Sequence, residues 1–202
     1  MNAIRPLLAS AVMALMSCSA WAETPTITLP SDKWSVESDN RTDIDQWERQ
    51  KEEAAWLVDY ADKLLDDAPA MLGIKNNGGG PALLAFSKDL NKTSDDLDKL
   101  GSPRTGPFSS CAGVGAYLSL VWQTAISSRP SQANVQEAAR HYFESRKECV
   151  EQINTRPELE YTLRGPESEA EKSPKGCLYT WDVTESEGPA MGTWTCPASV
   201  FK

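Results

Sequence analysis

Cys111 is the residue best placed to act as a nucleophile, because it lies near the start of a long uncharged stretch. That stretch, residues 105–128, reads TGPFSSCAGVGAYLSLVWQTAISS. A thiol at the N-terminus of a helix has a lowered pKa, since the helix dipole stabilises the thiolate. A cysteine hydrolase that uses Cys111 is therefore one hypothesis for this chain.

Residues 110–113, Ser-Cys-Ala-Gly, place their cysteine as papain-like and NlpC/P60-type peptidases place theirs, but the other parts of such a site are missing. The chain has one histidine, His141, which lies in the middle of a charged helical segment rather than on a following strand. No β-sheet is predicted before Cys111. We therefore expect no catalytic residue and no enzymatic activity, and the cysteine hydrolase is the second of two alternatives.

The cysteines that follow the N-terminal segment are Cys111, Cys149, Cys177 and Cys196. An even number in an exported chain predicts two disulfides, with three possible connectivities. The segments GCLYTWDV and AMGTWTCP alternate like two facing strands, and pairing Cys177 with Cys196 would place Tyr179 opposite Trp194. Cys111 would then pair with Cys149, which fits two antiparallel helices joined by a short turn.

Metal, phosphate and sugar sites are not predicted. His141 has no second imidazole near it, and the acidic runs at 66–67 and 95–98 lack the central glycine and terminal glutamate of a calcium loop. The glycine run at 78–80 is not followed by the Lys-Ser/Thr of a phosphate loop. Trp181, Trp194 and Tyr179 could stack on a sugar, but we favour packing of the hairpin onto the helices. No metal and no cofactor are expected.

The first 22 residues predict a cleaved secretory signal peptide. They contain one cation, Arg5, then an apolar run over 7–16 and an Ala-Trp-Ala site at 20–22. An alternative is a lipoprotein, because residues 15–18 resemble a lipobox in which Cys18 would be lipidated. Either way the mature chain is expected in the periplasm.

Four helices and a C-terminal hairpin are the elements that would position these residues. Residues 23–42 are interpreted as an extended arm, and 43–202 as a single domain, helical over 43–156 with a β-hairpin region at 157–202. The first helix is predicted to begin near Asp43, with Gln46 completing a capping box, and to kink or end at Pro69. The other predicted helices cover 81–100, 109–127 and 131–154. A short strand is expected at 159–163 and a polar loop at 165–175.

The predicted fold class is mainly α, a four-helix core whose central apolar helix is 109–127, with a small disulfide-closed β-hairpin at the C-terminus. The central segment is too polar for a membrane span of about 20 apolar residues, because it contains several hydroxyls, Gln123 and two glycines. No transmembrane segment is expected in the mature chain. The small residues at 112–116 let neighbours approach closely, and we expect this helix to be packed on nearly all sides.

The charge balance argues against one class of partner and favours another. The chain carries 29 acidic and 20 basic residues, a net charge of −9 that becomes −10 without Arg5. Such a surface repels nucleic acid and anionic lipid and attracts a basic protein. We therefore expect a protein partner and no nucleic acid.

The leading hypothesis is an exported, periplasmic, non-enzymatic binding protein. It would be an inhibitor or immunity protein that neutralises a basic secreted toxin directed at the cell envelope, such as a peptidoglycan hydrolase. Its partner-binding residues would be Glu185 and Glu187, on the hairpin loop at 184–189. The first alternative is an envelope-associated ligand-binding or assembly protein, which Cys18 would anchor as a lipoprotein.

Overall fold

A computed structural model describes residues 27–75, 79–102, 105–127, 129–180 and 190–201, and within them the fold is mainly α. The helices are α1 (Arg41–Lys75), α2 (Gly80–Leu100), α3 (Cys111–Ile126) and α4 (Gln132–Asn154). The strands are β1 (Ser35–Asp39), β2 (Glu160–Pro166), β3 (Leu178–Thr180) and β4 (Met191–Pro197). Short 3-10 helices cover Glu167–Lys172 and Ala198–Phe201. The predicted fold class, a helical core with a small disulfide-closed β region, is confirmed.

The start of α1 differs from the predicted capping box at Asp43. The helix begins at Arg41, whose backbone N–H donates to Asp39 Oδ1, while the carbonyl of Asn40 accepts from the N–H of Asp43. The Asn40 side chain instead bonds the backbone at the start of β2, donating to Glu158 O and accepting from the N–H of Glu160. Asn40 therefore joins the helical core to the sheet.

Pro69 lies inside α1, and the helix continues to Lys75 rather than ending at the proline. A proline removes one backbone donor from a helix. The turns around it are held by packing, because Ala68 is buried and Met71 and Leu72 pack against the main core. Tertiary contacts outweigh the local signal here.

The predicted central position of α3 is confirmed, since this helix contacts all three other helices. Val114 and Leu118 are completely buried on it. The expectation of packing on nearly all sides is wrong along one stripe: Ala116, Leu120 and Gln123 are exposed. Three neighbouring helices leave the outer side of α3 open. No helix in the described part of the chain is both long and apolar enough to cross a membrane.

Gly115 allows α3 to approach α2 more closely than any larger residue would. A Cβ at this position would lie 2.5 Å from the backbone oxygen of Ser94. The hydroxyl of Ser94 donates in turn to the carbonyl of Gly115 at 2.7 Å. The small residues of the central helix therefore serve the close packing expected from them.

The C-terminal hairpin is part of a four-stranded antiparallel sheet in the order β1-β2-β4-β3. The predicted register of β3 and β4 is confirmed, with Tyr179 opposite Trp194. Two features were not predicted from the sequence: the arm at 23–42 includes the strand β1, and the segment at 165–175, expected as a loop, contains the end of β2 and a 3-10 helix. Both depend on partners distant in the chain, which local patterns do not reveal.

A second, smaller core lies on this sheet. Trp34 is 4% exposed, and its ring centroid lies 4.4 Å from that of Trp194. Gly165 makes room for it, because a Cβ there would lie 2.4 Å from the indole. Trp194 is buried in this core of the sheet and not, as the sequence favoured, against the helices. Tyr179 is half-exposed, and Trp181 lies outside the described residues.

Glu169 joins the N-terminal segment to the 3-10 helix that follows β2. The Ser31 hydroxyl donates to Oε2 at 2.9 Å, and the Nζ atoms of Lys33 and Lys172 each lie 3.3 Å from a carboxylate oxygen. The Ser31 hydrogen bond, assisted by these two lysines, lowers the pKa of Glu169 from 4.5 to about 2. The folded state therefore favours the ionised carboxylate.

Glu169→Gln should remove part of the acid sensitivity of the protein. A lowered pKa stabilises the fold above the ordinary value of 4.5, and this contribution is lost as the pH falls towards 2. We expect the melting-temperature difference between wild type and Glu169→Gln to shrink from pH 5 to pH 2. Glu171→Gln, an exposed neighbour, is the matched control and should show a constant difference. Parallel pH profiles for wild type and Glu169→Gln would contradict the assignment.

Candidate functional site

Cys111 is not available as a nucleophile in this structure. Its Sγ is bonded to that of Cys149 at 2.02 Å, and both residues are completely buried. His141 stacks on Tyr117 with ring centroids 5.1 Å apart and lies 3.3 Å from a carboxylate oxygen of Glu144. The two parts of the hypothetical cysteine hydrolase are therefore engaged elsewhere.

Both predicted disulfides are present, Cys111–Cys149 and Cys177–Cys196. The proposed partner-binding residues Glu185 and Glu187 lie outside the described residues, as does Cys18. Their roles stay predictions. Among the described residues no group of three or more His, Cys, Asp or Glu side chains is arranged to hold a metal ion.

The surface between α1 and α2 combines an exposed tryptophan, stacked on a half-buried tyrosine, with acidic side chains, and we call it the α1–α2 groove. Its floor is Leu57 from α1 and Thr93 from α2, both 4% exposed. Two shallow depressions of about 240 and 210 Å³ share Leu57 and Asp96 and so form one continuous groove. The remaining lining residues are Gln50, Glu53, Trp56, Tyr60, Asp89, Lys92, Lys99 and Leu100.

Helical spacing brings the α1 side chains to this groove. Residues 53, 57 and 60 repeat every three or four positions, so they lie on one side of the helix. Trp56 is next to this row and is 59% exposed, and Tyr60, one turn later, stacks on it with a centroid distance of 5.3 Å and an angle of 7°. The stacking fixes the plane of the indole ring.

Both basic residues of the groove, Lys92 and Lys99, are paired with one carboxylate, that of Asp96. Lys92 Nζ donates to Asp96 Oδ2 at 2.6 Å, and Lys99 Nζ lies 3.5 Å from Oδ1 of the same carboxylate. The hydrogen bond from Lys92 lowers the pKa of Asp96, and the same bond raises the pKa of Lys92. This arrangement holds one carboxylate and two ammonium groups together on α2.

Four other carboxylates around Trp56 have no such partner. Glu52, Glu53 and Asp59 are exposed on α1, and Asp89 is exposed on α2 across the groove. None of the four forms an ion pair within 4 Å with a described residue. Of these four, Glu53 and Asp89 line the groove, and Asp89 also interacts electrostatically with Lys92. Asp59 interacts instead with Arg146 of α4, and Glu52 lines a separate depression.

A larger pair of depressions, of about 420 and 450 Å³, lies beside the start of α3 and shares Ser110 and Glu148. Its polar groups bond mainly to one another: the Gln152 carboxamide accepts from the Ser110 N–H and donates to the Ser109 hydroxyl. Its one aromatic residue, Tyr117, is stacked on His141. This surface has volume but no exposed aromatic anchor, so we prefer the α1–α2 groove.

Sequence reasoning missed Trp56, although the chain holds a signal for it. The apolar stripe of α1 runs through Ala54, Leu57, Val58 and Ala61, and Trp56 falls outside that stripe among acidic residues. A large aromatic on the wet face of an amphipathic helix is informative, because tryptophan is enriched where proteins bind one another. The stacking on Tyr60 and the carboxylate across the groove required the fold.

The groove offers groups that bind rather than groups that break bonds. The Thr93 hydroxyl is buried and donates to the backbone oxygen of Asp89 at 2.9 Å. Lys92 and Asp96 neutralise each other. Trp56 remains exposed with the carboxylates of Glu53 and Asp89 beside it, and this combination suits a cationic partner. Comparisons with protein-family models, with curated proteins and with solved structures give no match to this chain.

Proposed function

We propose that this protein is an exported, non-enzymatic inhibitor that binds a basic enzyme directed at the cell envelope, such as a peptidoglycan hydrolase, in the manner of an immunity protein. The observation that carries the proposal is the α1–α2 groove, where the exposed Trp56, stacked on the half-buried Tyr60, lies beside the carboxylates of Glu53 and Asp89. Aromatic residues at the centre of a charged rim are the usual composition of a protein-binding hot spot.

The charge of the chain supports a basic partner. The net charge is −9, and α1 alone contains nine acidic and five basic residues. An acidic surface of this kind accelerates encounter with a cationic protein, because long-range attraction steers the two together before they touch. An inhibitor that protects a cell from a secreted enzyme gains from a high on-rate.

The two disulfides support both the compartment and the mode of binding. Disulfides are compatible with an oxidising compartment such as the periplasm, where an envelope-directed enzyme acts. They also constrain the helices and the sheet before a partner arrives. A rigid binding surface loses less entropy on association than a mobile one.

The direct test combines residues 23–202 with a purified basic peptidoglycan hydrolase, chosen first from any that neighbouring genes encode. We expect the purified protein to inhibit peptidoglycan digestion by the hydrolase at a one-to-one molar ratio. The association rate should fall about tenfold or more between 50 mM and 500 mM salt, because screening removes electrostatic steering. Absence of inhibition, or an association rate that does not depend on salt, would contradict the proposal.

Matched charge reversals locate the contact surface. The pairs are Glu53→Lys with Asp89→Lys in the groove, Glu185→Lys with Glu187→Lys on the hairpin loop, and Glu137→Lys with Glu171→Lys elsewhere; each changes the net charge equally. We expect the groove pair to lower the association rate about tenfold, and the last pair about twofold. A larger effect of the hairpin pair would favour the surface predicted from sequence over the groove. Equal effects of all three pairs would mean that the net charge of the protein, and no particular surface, sets the association rate.

A further inference from the structure

Trp56 and Trp47, two tryptophans of α1, differ in whether a cation lies over the ring. Trp47 is 8% exposed and has Lys51 Nζ 4.7 Å from its ring centroid. Trp56 is 59% exposed and has no such cation from the described part of the chain. A tryptophan ring attracts a cation through the negative charge of its π face. Trp56 therefore offers to a ligand the interaction that Trp47 makes internally.

Glu53 of α1 and Asp89 of α2 line the two sides of the groove next to Trp56. On α1, Glu52, Glu53 and Asp59 are four residues before, three before and three after it, so they lie next to it on the helix surface. Asp89 lines the same 240 Å³ depression from α2. A cation over the ring would thus have carboxylate acceptors within reach from two helices.

We propose that Trp56 receives an arginine side chain of the basic partner, with the guanidinium stacked on the indole and its N–H groups donating to carboxylates of the rim. This inference rests on the proposed function and names the chemistry of the partner at that site. A depression of about 240 Å³ accommodates one long side chain rather than a helix or a strand. The occupant is one arginine of a loop or surface helix of the partner.

Arginine fits this arrangement better than lysine does. A guanidinium is planar, so it stacks on an indole while its edge donates several hydrogen bonds in that plane. It is also more weakly hydrated than an ammonium group, and less of the interaction is spent on removing water. An uncharged glycan would stack on the ring but leave the carboxylates around Trp56 without partners, and a nucleic acid would be repelled by them.

The test uses the mature protein labelled with 5-fluorotryptophan, in which the resonance of Trp56 is assigned by its absence in Trp56→Phe. Three synthetic peptides are titrated: Ac-Gly-Arg-Gly-Arg-Gly-amide, its lysine analogue and its citrulline analogue. Citrulline has nearly the shape of arginine and no charge. We expect the arginine peptide to shift the Trp56 resonance saturably, the lysine peptide to bind about two- to fivefold more weakly, and the citrulline peptide to leave the resonance unchanged.

A double variant identifies the carboxylates. In Glu53→Gln with Asp89→Asn, we expect the affinity for the arginine peptide to fall about fivefold, while Glu137→Gln with Glu171→Gln leaves it unchanged. The inference is overturned if the arginine peptide does not move the Trp56 resonance, or if the citrulline or lysine peptide binds as tightly. A saturable shift with chitotetraose in place of the arginine peptide also overturns it and marks a glycan site.

The inference and the proposed function fail in different ways. If the protein binds the arginine peptide at Trp56 but inhibits no envelope hydrolase, the proposed function is wrong and the site remains. If it inhibits the enzyme and Trp56→Leu inhibits equally tightly, the function stands and the arginine site is wrong. Trp56 is exposed, so Trp56→Leu should fold as the wild type does, which its circular dichroism checks.

Discussion

Replacing Cys111 and Cys149 together with alanine should lower the free energy of unfolding by about 4 kcal/mol. The bridge joins residues 38 apart in sequence, and closing a loop of that length removes about that much conformational entropy from the unfolded chain. Both cysteines are completely buried between α3 and α4. The loss should appear as a lower urea midpoint, with a slope that rises because the unfolded chain exposes more surface without the bridge.

The second bridge is the natural comparison. Cys177–Cys196 joins residues 19 apart, so the same chain-entropy argument gives about 3 kcal/mol when both are replaced with alanine. Its strand β3 is at the edge of the sheet, however, and Leu178 on it is 74% exposed. We expect β3 to open locally, so that the helical unfolding midpoint changes little.

These two double variants show whether the helices and the sheet unfold as one unit or separately. If the alanine pair at 177 and 196 lowers the helical midpoint as much as the pair at 111 and 149, the sheet and the helices unfold together. If the pair at 111 and 149 leaves the midpoint unchanged, the contacts between α3 and α4 hold without the bridge. Either result would contradict the expectation that Cys111–Cys149, rather than Cys177–Cys196, determines the stability of the helices.

The elements that sequence reasoning predicted correctly are those whose signals are local or set by pairing arithmetic. Helical periodicity and the proline-rich turns placed α2, α3 and α4 within a few residues, and Ser131 accepts from the N–H of Asn134 at the start of α4. The cysteine spacing fixed the register of β3 and β4, because strands alternate and two opposed cysteines define every other pair.

The elements that were missed depend on partners far away in sequence. The start of α1 is set by Asn40, whose side chain bonds the backbone near residue 160, and the 3-10 helix after β2 is held by Glu169, which bonds Ser31. The groove depends in the same way on Trp56 and Asp89 meeting across two helices. Local patterns give the composition of such sites but not which residues face one another.

Asp62→Ala should cost about 3 kcal/mol of unfolding free energy, because Asp62 is the acceptor at the centre of the contact between α1 and α4. The Tyr142 hydroxyl donates to Oδ1 at 2.8 Å, and Arg146 Nε and Nη2 lie 2.7 and 2.6 Å from Oδ2. Burial, followed by this hydrogen bond, raises the pKa of Tyr142, and the carboxylate raises that of Arg146. Each hydrogen bond to a charged group contributes about 1.5–3 kcal/mol, and a buried hydroxyl without a partner costs about 1–3 kcal/mol.

Glu48→Ala is the matched control, since Glu48 also joins α1 to an arginine of a later segment, Arg156. The side chains of Glu48 and Arg156 are 49% and 56% exposed, so solvent screens the pair and the expected cost of Glu48→Ala is below about 1 kcal/mol. Tyr142→Phe should account for about 1 kcal/mol of the Asp62 effect, because it removes the hydroxyl together with its need for an acceptor. Urea unfolding of the three variants measures these values. Equal costs for Asp62→Ala and Glu48→Ala would mean that the buried tyrosine hydroxyl finds another acceptor, and that apolar packing alone joins α1 to α4.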